Sequence, residues 1–143
     1  MDKTFFDNVG YVIGWDSPGV NRNAWSCSGQ KLFDYKFYTE HMKKVCDNNG
    51  RTIFYSEPFT AVVQIRENID VTCMNFGSGG YNAHTKTEYA VLEDIDVSVK
   101  FGKELIEELG NVKYEMNRNQ SSYSSYYNYE YKKDENGNFL FTL

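Results

Sequence analysis

Apolar and polar residues alternate along much of this chain, and alternation of period two is the mark of a half-buried strand. The clearest run is 89–101. Tyr89, Val91, Ile95, Val97, Val99 and Phe101 share one parity, and only Glu93 breaks it. Asp94, Asp96, Ser98 and Lys100 share the other, so the run predicts a strand bent near Glu93. Similar patterns predict strands over Asn8–Trp15, Thr52–Tyr55, Phe59–Arg66, Ile69–Phe76 and Val112–Met116. Pro58 fits the start of a strand, and Asp16-Ser17-Pro18-Gly19 is a turn.

Helical spacing dominates in two places. Tyr35, Tyr38, Met42, Val45 and Cys46 predict a helix over about 32–47, stopped by Asn48-Asn49-Gly50. Phe33, Tyr35 and Phe37 also alternate, which leaves open a strand followed by a shorter helix capped at Thr39. Leu105, Ile106 and Leu109 predict a short helix over about 103–109, with Gly110 as its exit. Residues 117–125 read as a polar loop. Tyr127, Tyr129 and Tyr131, then Asn136-Gly137, then Phe139, Phe141 and Leu143 read as a C-terminal β-hairpin. Many strands with one longer and one short helix predict an α+β fold on a mainly antiparallel sheet. The 143 residues carry no repeat or linker and suit a single globular domain over 1–143.

Composition narrows the setting. Hydrophobic residues are 41% and charged residues 24%, a globular balance that excludes wholesale disorder. No apolar run follows Met1–Phe6, and none approaches the ~18 residues of a membrane span, so a cytoplasmic protein without a membrane partner is expected. Cys27, Cys46 and Cys73 are odd in number and widely spaced. They read as buried thiols rather than a disulfide framework or a zinc site, and no metal or cofactor is expected. The net charge of -5 disfavours direct non-specific nucleic-acid binding and leaves room for a basic partner protein. Fourteen Asn and eleven Lys against four Ala and four Arg point to an AT-rich genome, such as a low-GC bacterium or one of its phages or plasmids.

Four features carry candidate chemistry. The glycine loop Gly77–Thr85 gathers Ser78, Tyr81, Asn82, His84 and Thr85, with Glu88 just beyond. It lacks the Lys-Ser/Thr of a P-loop, yet these groups suit a small polar ligand or nucleotide in a concave pocket. His84 with Glu88, and Arg66 as an anion holder, would give an acid/base hydrolase of ribonuclease type. Half of the twelve tyrosines fall within 114–131 among serines, and Tyr123, Tyr126 and Tyr127 suit protein recognition. Last, Glu93, Asp94, Asp96, Glu104, Glu107 and Glu108 outnumber Lys100 and Lys103. The expectation is a non-enzymatic binding protein, of the kind a phage or mobile element uses to inhibit a host protein, gripping through its Tyr-rich and acidic surfaces. The alternatives are a ligand-sequestering protein built on the glycine loop and the His84 hydrolase, with a homo-oligomer able to complete such a pocket.

Overall fold

The structure, a computed structural model, describes residues 3–118, 132–133 and 139–140. A 3-10 turn (Lys3–Phe6) leads to β1 (Val12–Ser17), β2 (Asn23–Cys27) and β3 (Gln30–Lys31). Then α1 (Tyr35–Phe37), a π-helical turn (Tyr38–Met42) and α2 (Lys43–Asn48) run on as one helical stretch. After it come β4 (Phe54–Glu57), α3 (Ala61–Asn68) and β5 (Cys73–Gly77). The ribbon β6 (Gly80–Tyr81) and β7 (Tyr89–Ala90) precedes the longest helix, α4 (Leu92–Leu109).

The fold is α+β, as the patterns predict. Its five-stranded sheet is mixed, in the order β1-β5-β2-β3 with β4 on the far side of β2. The β1–β5 and β2–β4 pairs are parallel, and β2 runs antiparallel to β5 and β3. Every residue of β2 and β5 is buried, so these strands form the floor of the core. The sheet packs against two aromatic groups. Trp15, Phe76 and Phe101 meet at centroid distances of 4.9–6.1 Å, and Phe33, Phe37, Tyr38 and Phe54 form the second group.

The helix predicted over 32–47 forms from Tyr35, once Asp34 caps it by accepting the Phe37 N–H at 2.8 Å. It ends before Gly50, whose φ of 67° takes the left-handed exit. Two predicted strands are helical instead. Residues 61–68 are helical because Thr60 caps Val62 and the Asp16 carboxylate accepts the Ala61 N–H at 3.3 Å. Phe59, which would share a strand face with Ala61, Val63 and Ile65, is 65% exposed. The second correction is larger. Most of the 89–101 run is the N-terminal part of α4, and the short helix expected at 103–109 is its C-terminal part. The buried stripe is Ser98, Phe101, Leu105 and Leu109, with Gly102 beside it, which is helical spacing, and Val97 and Val99 face outward. Glu93 and Asp94 in the first turn favour the helix through its dipole.

Val112–Met116 forms no regular strand. It runs extended, with Tyr114 donating to the Gly10 carbonyl at 2.8 Å and accepting from the Thr72 N–H at 2.9 Å. At the C-terminus β8 (Lys132–Lys133) pairs antiparallel with β9 (Phe139–Leu140). The remainder of the predicted hairpin, with Tyr127 and Asn136-Gly137, lies outside the described residues. Among the described residues no helix is long and apolar enough to cross a membrane.

Candidate functional site

The glycine loop leaves β5 at Gly77, where a side chain has no room: an added Cβ would sit 2.2 Å from the Gly19 carbonyl oxygen. The chain then locks onto the β1–β2 turn through Gly79 N–H to Gly19 O (3.0 Å) and Gly19 N–H to Gly80 O (2.6 Å). Gly79 adopts a φ of 92° and its carbonyl accepts the Val91 N–H, which seats the start of α4. The backbone of this loop therefore serves to join β5, the β1–β2 turn and α4.

Its polar side chains close on themselves. Thr85 Oγ1 donates to the Asn82 carbonyl at 2.7 Å, and the Asn82 amide reaches the Thr87 carbonyl at 3.3 Å. The Glu88 carboxylate accepts the backbone N–H of His84 at 2.9 Å rather than engaging its imidazole. Asn82, His84, Thr85 and Glu88 are all exposed. Tyr81 turns the other way. Its hydroxyl donates to Asp94 at 2.5 Å and its ring stacks on Tyr89 at 5.2 Å. That hydrogen bond to Asp94, with some desolvation, raises the phenol above its ordinary value.

Arg66, expected beside His84, is fully buried in α3. Its guanidinium donates to the carbonyls of Lys31 (2.9 Å), Met116 (3.1 Å) and Asn117 (2.5 Å), pinning the chain after α4 to the sheet. Burial lowers its pKa. A second buried cation escaped the sequence reading. Arg51 donates to Asn23 Oδ1 (3.2 Å), the Gly77 carbonyl (3.2 Å) and Ser98 Oγ (2.8 Å), and Ser98 passes a hydrogen bond to the same carbonyl (3.1 Å). Its guanidinium lies 4.5 Å from the Phe101 ring centroid, a cation–π contact that offsets part of the desolvation. Burial still lowers its pKa to about 10. Arg51 thus rivets β2, the end of β5 and α4 together.

The remaining candidates divide in two. Tyr123, Tyr126 and Tyr127 lie outside the described residues. The acidic residues are on α4, where Glu107 and Glu108 are exposed, as is Glu93. Glu104 is half-exposed, accepts from the Asn49 amide at 2.7 Å and lies 3.8 Å from the Lys100 ammonium. Eleven residues make about three helical turns, so Glu93, Glu104, Glu107 and Glu108 fall along one flank of the helix. The other flank holds what the sequence reading missed. A groove of about 320 Å³ runs beside α4, lined chiefly by Trp15, Ile95, Val99, Gly102, Lys103 and Ile106. Of the predicted loop ligands, Ser78 alone lines it. Comparisons of the chain with family models, curated proteins and solved structures found no match.

Proposed function

We propose that this chain is a non-enzymatic binding protein that grips a basic surface of a host protein through the acidic flank of α4. The observation that supports this reading is the placement of Glu93, Glu104, Glu107 and Glu108 along one flank of a helix that is anchored to the sheet by a separate, buried stripe. A rigid helix anchored by Phe101, Leu105 and Leu109 holds these carboxylates at fixed spacing. A fixed row of net negative charge, four carboxylates against the single Lys100 among them, speeds encounter with a basic partner and sets its register. The charge of -5 adds to this steering. The small-ligand and hydrolase readings gain no comparable support, because Asn82, His84 and Thr85 stand exposed and Glu88 is occupied by backbone.

The test uses Glu107→Lys/Glu108→Lys, two exposed positions whose reversal leaves the core intact, with circular dichroism as the fold check. Wild-type protein is expected to retain a basic host protein in stoichiometric amount, and rising salt releases it. The double variant is expected to bind the purified partner at least ~10-fold more weakly. Equal retention by the variant, or no retained protein, overturns the reading.

A further inference from the structure

We propose that the apolar stripe on the groove side of α4 is the twofold interface of a homodimer. The helix carries two seams. Ser98, Phe101, Leu105 and Leu109 face the sheet and are buried. Leu92, Ile95, Val99, Gly102 and Ile106 follow one another at steps of three and four, the spacing at which one helix packs along another. Leu92 is 73%, Val99 49% and Ile106 53% exposed, so the outer part of this seam is solvated in the single chain, while Ile95 is half-buried and Gly102 is buried against Trp15. The groove between it and Trp15 offers a slot for the side chains of a second helix.

Charge identifies the occupant as another copy. Asp96 and Lys103 flank the seam on the same side, seven residues apart. Among the described residues neither is engaged in an ion pair. An antiparallel pairing about an axis near Val99 sets Asp96 against Lys103 of the partner subunit, and the twofold repeats the contact. The same axis sets Leu92 against Ile106 of the partner subunit and brings the two Val99 side chains together. A parallel twofold would carry the Asp96 and Lys103 of the two copies to opposite edges of the seam and leave both without an opposite charge. One surface that complements itself in this way is what an isologous dimer needs. The seam is distinct from the acidic flank and stands whether or not that flank binds a host protein.

Sedimentation of the full chain over a range of concentrations reads the result. Wild type is expected to form dimers, and Val99→Asp, which sets two carboxylates together on the axis, to be monomeric with an unchanged circular dichroism spectrum. Lys103→Asp is expected to weaken the dimer ~10-fold or more, and Asp96→Lys/Lys103→Asp to restore it. Val99→Cys is expected to cross-link without reductant, against a silent background because Cys27, Cys46 and Cys73 are buried. Glu107→Lys/Glu108→Lys remains dimeric, so loss of host binding and loss of the dimer are told apart. A monomeric wild type, a dimer indifferent to Val99→Asp, or a double swap no better than Lys103→Asp overturns the proposal.

Discussion

Cys46 and Cys73 show how burial sets chemistry at single residues. Desolvation pushes both thiols up to about 12, from an ordinary 9.0. The native state therefore holds these protons more tightly than the unfolded chain. That stabilisation is complete below pH 9.0 and drains away as pH rises toward about 12. Arg51 acts in the opposite sense, but only above its value of about 10. The urea midpoint is thus expected to begin falling above pH 9.0, and a thiol reagent at neutral pH to label none of the three cysteines until the protein is unfolded. Arg51 is also expected to be the most costly single truncation. Arg51→Ala leaves Asn23, the Gly77 carbonyl and Ser98 with unmade hydrogen bonds beside a cavity, a loss of more than ~2 kcal/mol by chemical denaturation. Neither role was legible in sequence. A lone arginine between Gly50 and Thr52 carries no local sign of the Phe101 ring and Ser98 hydroxyl that meet it from fifty residues away.

Caps decide the elements where the apolar pattern allows two answers. Phe59, Ala61, Val63 and Ile65 alternate, and the strand this predicts is instead α3. The Thr60 hydroxyl and the Asp16 carboxylate satisfy the first N–H groups of that helix, and Asp16 comes from a different strand. Thr60→Ala is accordingly expected to cost about 1 kcal/mol in thermal unfolding. In α4 the run Ile95, Val97, Val99, Phe101 reads as a strand over seven residues. Only the longer window to Leu109 exposes the helical column at 98, 101, 105 and 109. Glu93 was the local sign of error, since it broke the strand face yet suits a helix first turn. The helix over 35–48 was legible because its pattern, its Asp34 cap and its Asn-Asn-Gly exit agree.

For the whole molecule, α4 is the element that links core to surface. One side seals the sheet, one flank offers carboxylates, and the third side is the seam assigned to a second copy. Binding driven by the acidic flank is expected to weaken steeply with salt, whereas the dimer, held largely by apolar contact, changes far less. By itself the sequence determined the α+β class, the long helix before Gly50 and the strand that became the central β5, because each rests on local periodicity and strong stop signals. It also determined the presence of an acidic segment at 93–108. Which residues of that segment face outward, and what lies beside them, was decided only in three dimensions. The contacts that bury Ser98 and Phe101 on that helix are with Trp15, Phe76 and Arg51, and a chain read in order cannot bring such distant partners together.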